Sequence, residues 1–341
     1  MPGISLVRKG SIDGSTRYSL SKWSVCRSSV HSLLANKPML YFFYSTPEGR
    51  ENSMDHGMSA RERLSWPDRV RSSVGACLRE PLYRLFSLVP QWEFGLSDHE
   101  VTRHTHVHGP LAGHRAVHLT DLHLDIYYPR HDRIVDTVRA LQPDWIFITG
   151  DLLNVPEGLP HLFRFLARLR ETAPVFVTLG NHDHYSGVPV TDYAELADRH
   201  KITLLVNQSV FVSTAKGELA IVGVDDPSLH RADLHCVPPQ ADHRFTLLLA
   251  HAPNILDQVK AHHAIDLILC GHSHGGQWQV PGIPTFWLPP GCNGRVAGRY
   301  ESGEHTLYIN RGLGWSFLPF RLNCLPEIAL IEWIEERSQA A

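Results

Sequence analysis

From about residue 100 onward, short apolar runs recur along the chain, each followed by a polar cluster. Ala116–Thr120, Trp145–Thr149, Val175–Leu179, Thr246–Ala250 and Leu267–Cys270 are too short for core helices and too uniformly apolar for half-exposed strands. They read as strands buried on both faces. Between the first three, apolar residues return at helical spacing over Asp132–Leu141 and Leu159–Arg170. Strand and helix alternating at this short interval predict an α/β sheet with parallel strands. Further strands are expected at Thr203–Val212, Leu219–Val224, Thr306–Asn310 and Ile328–Trp333, and no internal repeat is visible.

The chain upstream has a different pattern. Val70, Val74, Leu78, Leu82, Leu85, Phe86 and Val89 recur at spacings of three and four, with Arg69, Arg71, Arg79 and Arg84 between them. Residues 61–98 therefore predict a basic amphipathic helical segment, kinked near Pro81. Two placements are open: peripheral contact with an anionic membrane surface, or packing on the protein's own core. Residues 1–60 hold twelve Ser and four acidic residues with no clean apolar period. They read either as an unstructured extension, with Met54 or Met58 as the true start, or as a targeting segment built on Leu33–Tyr44. Residues 100–335 are expected to form the catalytic α/β domain.

Composition narrows the function classes. Of 341 residues, 43% are hydrophobic and 20% charged, which excludes a largely disordered chain. No run of 18 apolar residues exists, so no bilayer-crossing helix is predicted. The net charge of -3 argues against a large basic field, and no nucleic-acid partner is expected, although 26 of the 32 basic residues are Arg. The cysteines Cys26, Cys77, Cys236, Cys270, Cys292 and Cys324 are scattered and form no C-x-x-C pair. A thiolate zinc site and a disulfide framework are both disfavoured, and a cytoplasmic compartment is the simpler expectation. Histidine is in excess, with 23 copies.

The five apolar runs share one property at their ends. They lead into Asp121-Leu122-His123, Gly150-Asp151, Gly180-Asn181-His182-Asp183, His251, and Gly271-His272-Ser273-His274. Open α/β sheets bind ligands at the carboxyl ends of their strands, so these clusters are expected to converge. Asp, Asn and His offer oxygen and nitrogen donors without thiolate, which suits Mn²⁺, Fe or Zn²⁺ and disfavours a structural zinc site. There are too many donors for one tetrahedral ion.

T-D-L-H, G-D, G-N-H-D, a lone His and G-H-S-H, in that order, resemble the calcineurin-like metallophosphoesterases from about Arg115 to Ile331. The distal motifs are similar to one bacterial subgroup: Gly223-Val224-Asp225-Asp226-Pro227, Gly275-Gly276-Gln277, Asn310-Arg311-Gly312-Leu313-Gly314 and Pro319-Phe320-Arg321-Leu322. That subgroup includes YkuE-like phosphohydrolases and a UDP-2,3-diacylglucosamine pyrophosphatase of lipid A synthesis. The resemblance implies a four-layer α/β/β/α sandwich, here with an N-terminal helical extension, and two divalent cations, with Mn²⁺ expected first. One cation would be held by Asp121, His123, Asp151 and His274, and the other by Asp151, Asn181, His251 and His272. A hydroxide bridging the two would attack phosphorus, with no phospho-enzyme. His182 would serve the leaving group, oriented by Asp183. Asn181 and Arg321 are the expected substrate contacts. Asn154 stands where many members have an acidic residue, and Asp183 where many eukaryotic members have Glu. The substrate implied is a phosphorylated small molecule or lipid, with UDP-2,3-diacylglucosamine cleaved to 2,3-diacylglucosamine 1-phosphate and UMP as the named candidate. A cytoplasmic protein peripheral on the inner membrane would suit it. The alternatives are a soluble phosphodiesterase of unrelated substrate and a non-catalytic, membrane-associated scaffold.

Other residues carry double readings. His104, His106 and His108 alternate as on an exposed β-edge or a metal-binding strip. His262-His263 reads as the solvated face of a helix. Arg321 and Arg299 suit phosphate or a structural ion pair. Trp278, Phe286 and Trp287 read as core or as the lining of an apolar substrate groove.

Overall fold

The structure is a computed structural model in which residues 99–280, 282–316 and 321–335 are described. The segments 1–60 and 61–98, with the amphipathic helix expected there, lie outside the described residues.

The first three apolar runs become β2 (Arg115–Leu119), β3 (Trp145–Thr149) and β4 (Val175–Thr178). All residues of β3 and β4 are buried, which is why the sequence shows no alternation there. Side chains do alternate, but between two apolar layers rather than between core and water. Val117, Ile146 and Val175 join a layer shared with α1 (Pro129–Leu141) and α2 (Leu159–Arg170). Ala116, Trp145, Phe147 and Phe176 face a second sheet instead. That inter-sheet layer is rich in rings, and Trp333 meets Trp145 edge-on at 5.9 Å and Phe245 at 5.6 Å.

Among the described residues two six-stranded sheets result. The first runs β1-β12-β2-β3-β4-β5, adding β1 (Glu100–Val107), β5 (Thr203–Leu204) and β12 (Glu327–Ile334). The second runs β10-β11-β9-β8-β7-β6. Its strands are β6 (Gln208–Ser213), β7 (Glu218–Gly223), β8 (Arg244–Leu249), β9 (Leu267–Cys270), β10 (Gly298–Ser302) and β11 (His305–Ile309). The strands that carry the polar clusters are parallel to one another: β2, β3 and β4 in one sheet, β8 and β9 in the other. A third apolar layer covers the outer face of the second sheet, where Leu248 and Ile268 pack with Ile255 and Leu256 of the 3₁₀ segment Pro253–Asp257. The architecture is thus a mixed α/β double sheet, with α-helices on the first sheet and 3₁₀ turns on the second among the described residues.

Several elements differ from the pattern-based expectation. Thr203–Val212 is two strands in two sheets, β5 beside β4 and β6 beside β7. Between them Leu205 is buried and Asn207 adopts a left-handed φ of 53°, which turns the chain from one sheet to the other. The helices α3 (Asn181–Tyr185) and α4 (Val190–Arg199) are additional. In α4 only Tyr193 and Ala197 are buried, a stripe too sparse to register as helical periodicity. His262-His263 lies in a turn rather than on a helix. β1 is an edge strand, but its histidines point inward: the His104 ring lies 3.9 Å from Tyr308, and burial lowers the pKa of His106 to about 4.

β12 is antiparallel to β2, pairing Ala329 with His118, and β1 is parallel to β12, pairing Glu100 with Glu327. Both Glu100 and Glu327 therefore sit at the end of the sheet where β2 finishes. Arg311 ties them together there, 2.7 Å from Glu100 and 3.0 Å from Glu327.

Candidate metal centre

The carboxyl ends of β2, β3, β4, β8 and β9 open onto one rim across both sheets. Asp121, Asp151 and His251 follow directly on β2, β3 and β8, each within two residues of the strand. Loop backbones are laced together: Asp121 N donates to Gly150 O at 3.1 Å and His123 N to Asp151 O at 3.0 Å. The backbone N–H of His272 donates to both Asp121 carboxylate oxygens, at 3.0 and 3.1 Å. The turns are sharp. Asp121, His123, Asp151, His272 and His274 all have positive φ, between 42° and 69°, a conformation that L residues rarely adopt. Each such residue costs roughly 1–2 kcal/mol, and strain concentrated on five neighbouring donors marks a functional site.

Packing at the rim leaves no room for a side chain at Gly271. A Cβ there would lie 2.1 Å from Thr120 Oγ1 and 2.2 Å from Asp121 Oδ2. Gly271→Ala is expected to push Asp121 off its position, lower stability by about 1–3 kcal/mol and weaken Mn²⁺ binding. Urea titration and Mn²⁺ titration check the two effects.

Two overlapping groups of buried donors converge. Asp121, His123, Asp151 and His274 form one, and Asp151, His251 and His272 the other, with donor atoms within 4.8 Å of one another in each. Proton positions follow from the partners. His251 Nδ1 donates to the Thr149 carbonyl at 2.8 Å, so in the neutral ring its Nε2 carries the lone pair, 3.2 Å from Asp151 Oδ2. His272 donates from Nε2 to the Pro290 carbonyl at 2.7 Å, so its Nδ1 carries the lone pair. That atom lies 3.0 Å from His251 Nε2. Two lone pairs held face to face require a proton or a cation between them. His123 Nε2 and His274 Nε2 lie 3.2 Å apart, and His274 Nε2 is 3.3 Å from Asp121 Oδ1.

Electrostatics tell the same story. Burial, reinforced by the Asp151 charge, raises the pKa of Asp121 to about 6 and that of Asp183 to about 7. Burial opposes charging His251, but the carboxylates of Asp151, Asp121 and Asp226 together outweigh it and raise His251 to about 10. Burial also works against an ionised Asp151, and His251 and His182 overcome it, holding Asp151 well below the usual carboxylate range. Without a cation, a proton on His251 is thus the compensation for two carboxylates in a dry cavity. Asn181 opens α3 beside them, and its Oδ1 is buried with no hydrogen-bond partner among the described residues. An orphaned acceptor, opposed lone pairs and oxygen and nitrogen donors with no sulfur fit a pair of borderline divalent cations sharing Asp151. His182 is half-buried at the mouth, with its backbone N–H on Asp151 Oδ1 at 2.8 Å and its ring 4.8 Å from that of His123.

Two expected roles need correction. Asp183 does not present its carboxylate as the orienting group of His182. Its Oδ1 accepts from Leu152 N at 2.9 Å and Leu153 N at 3.3 Å, and its Oδ2 from Gly180 N at 2.8 Å. It clamps the loop after β3 to the start of α3. Arg321 does not reach substrate: it is 1% exposed and donates to the carbonyls of Gly314, His274 and Arg311 at 2.8, 3.1 and 2.7 Å. Nor is it an ion pair, since those partners are neutral. It braces the loops behind His274. Arg299 pairs with Glu301 at 2.9 Å. Phe286 is 63% exposed and so is not core, while Trp278 and Trp287 are half-buried against each other at 5.6 Å.

Other contributors carry little sequence signal. The Thr149 and Pro290 carbonyls that set two imidazoles are backbone groups, and identity at those positions says nothing of them. Asp125 and Asn154 lie behind His123 and were legible only as a further Asp in D-L-H-L-D and an amide after G-D.

A family model described as calcineurin-like phosphoesterase matches residues 114–276. The metallophosphoesterase YkuE of Bacillus subtilis, whose activity is uncharacterised, is 31% identical over 241 residues, covering 69% of this chain and 83% of its own. The phosphodiesterase YaeI of Escherichia coli is 32% identical over 232 residues, covering 65% of this chain and 83% of its own. Among solved structures, the NAD nucleotidase of Haemophilus influenzae aligns with a TM-score of 0.42 at 12% identity, over 60% of this chain and 45% of that one.

Proposed function

The chain belongs to the calcineurin-like phosphoesterase family, and from that premise we propose that it is a dinuclear phosphodiester or pyrophosphate hydrolase working at the Asp151-centred rim. Hydrolysis of phosphoester bonds is the family's reaction. The observation that carries the proposal is the sharing of one buried carboxylate by two donor groups.

We assign Asp121, His123, Asp151 and His274 to one cation and Asp151, Asn181, His251 and His272 to the other. Mn²⁺ is the first choice, with Fe and Zn²⁺ compatible with the same donors. When bound, the two ions supply positive charge for the phosphate oxygens and lower the pKa of a water. The protein's own contributions are separable. Strained backbone at Asp121, Asp151 and His272 fixes the donors before any ion arrives, so little is lost in reorganisation. The Thr149 and Pro290 carbonyls hold His251 and His272 in opposite tautomers, so that one faces the centre with Nε2 and the other with Nδ1. His182, half-exposed and anchored through its backbone to Asp151, holds a ring proton where a leaving oxygen departs.

The substrate is a phosphorylated small molecule. Within that class the first compound to assay is UDP-2,3-diacylglucosamine, supported by the resemblance of the distal motifs. Several of those motif residues brace the rim: Asp225 pairs with His184 at 2.6 Å, and the Gln277 side chain donates to Ser316 O at 2.9 Å and accepts from Ser316 N at 2.7 Å. No helix among the described residues is long and apolar enough to cross a membrane. Contact with a membrane surface, if the lipid substrate holds, would fall to residues 61–98. The test is a Mn²⁺-loaded assay on bis(p-nitrophenyl) phosphate, p-nitrophenyl phosphate and the UDP-lipid, with products read by mass spectrometry. Diester cleavage that chelation abolishes supports the reaction, and UMP release identifies the lipid. No turnover of any of the three overturns the substrate class.

A further inference from the structure

Behind His123 lies a chain of polar contacts whose directions can be deduced one after another. The Asp125 carboxylate accepts the backbone N–H of Asn154 on Oδ1 at 2.7 Å and that of Val155 at 3.3 Å. Its Oδ2 receives the Asn154 side-chain nitrogen at 2.9 Å. A carboxylate only accepts, so the Asn154 amide must turn its NH₂ to Asp125. Its Oδ1 then faces His123 Nδ1, 2.9 Å away. An amide oxygen also only accepts, so His123 Nδ1 must carry the proton. The one remaining ring nitrogen, Nε2, is left as a lone pair pointing at His274 Nε2 and, 3.6 Å away, Asp151 Oδ2.

The loops that hold these groups are pressed together. Leu124 N donates to Leu152 O at 2.8 Å. A Cβ on Gly158 would lie 2.9 Å from the Asp125 Cα, so glycine there permits the close approach. Asn154 is 8% exposed and His123 7% exposed, leaving bulk water little access to substitute for either contact.

We propose that Asp125 and Asn154 are positioning residues, a carboxylate-to-amide relay that fixes His123 in its Nδ1–H tautomer and so presents Nε2 as a metal donor. The inference rests on the assignment of His123 to a cation, but the tautomer itself is a property of the protein alone. The amide also explains what replaces the acidic residue at this position: the negative charge is still supplied, one residue further out, by Asp125.

The experiment has two arms. In protein stripped of metal, at alkaline pH, ¹⁵N spectra of the histidine rings report which nitrogen of His123 is protonated. The wild type is expected to show Nδ1–H, and Asn154→Leu, which keeps the branching at Cγ and removes the acceptor, is expected to populate Nε2–H. In the second arm, Mn²⁺ titration followed by electron paramagnetic resonance is expected to show about a 10- to 100-fold loss of affinity at one of two sites in Asn154→Leu. The paired exchange Asp125→Asn with Asn154→Asp keeps every hydrogen bond of the relay, with the one between residues 125 and 154 reversed in direction. It is expected to restore both the tautomer and the affinity to within about threefold, whereas a relay that served only to brace the loops would leave the ring tautomer unchanged in all variants. His123 found as Nε2–H in the wild type overturns the relay without any variant, even one that fails to fold. Unchanged Mn²⁺ affinity in a folded Asn154→Leu protein overturns it too. A wild type that shows Nδ1–H yet binds no Mn²⁺ keeps the relay and removes the metal assignment instead.

Discussion

Asp151→Asn is expected to lower kcat/KM on a phosphodiester by at least about three powers of ten, equivalent to losing several kcal/mol of transition-state stabilisation. The substitution is chosen to spare the fold. Asp151 sits at a φ of 51°, and asparagine tolerates the left-handed region better than any residue but glycine. An amide oxygen still accepts the His182 N–H, now made by Asp151 Oδ1 at 2.8 Å. What disappears is the charge common to both donor groups. Bound Mn²⁺, measured by elemental analysis after gel filtration, is expected to fall from two ions to one or none while the melting temperature of the stripped protein stays within a few degrees. Full activity in a stable Asp151→Asn protein would remove the shared carboxylate from the reaction.

His182→Ala separates chemistry from metal binding. The side chain is half-buried at the mouth with its ring beside that of His123, and the hydrogen bond from residue 182 to Asp151 is made by its backbone, which alanine keeps. Mn²⁺ content is therefore expected to be unchanged. A positioned general acid contributes about 10²- to 10⁴-fold, so kcat should fall by roughly that factor on an alkyl phosphodiester. With p-nitrophenolate, which departs without a proton, the loss should shrink to about tenfold or less. An equal loss on both substrates would mean that His182 holds the phosphate rather than serving the leaving oxygen.

The legibility of this protein follows from where its strands lie. β3 and β9 begin and end where their apolar runs do, because burial on both faces leaves no polar residue inside them and puts the donors immediately after. Burial cannot reveal which sheet a strand joins. β4 and β8 read alike in sequence, yet belong to different sheets. The split between β5 and β6 was hidden because Leu205 and Val206 continue an apolar run through the very turn that changes sheets. At the centre, the residue types that can hold a cation are few, so Asp121, Asp151 and His251 stood out. Asp183 and Arg321 were misread for a related reason. Their chemistry suits catalysis and phosphate, but both are spent on backbone amides and carbonyls, and a buried side chain bonded to the main chain leaves no trace in the pattern.

The direction of β1 and β12 has a practical corollary. Because Glu100 begins β1 beside Glu327, the polypeptide enters this domain on the catalytic side, while Ile334 leaves it on the opposite pole. A dye or spin label placed at Glu100 therefore stands beside the entrance, and one placed at Ile334 stands clear of incoming phosphates.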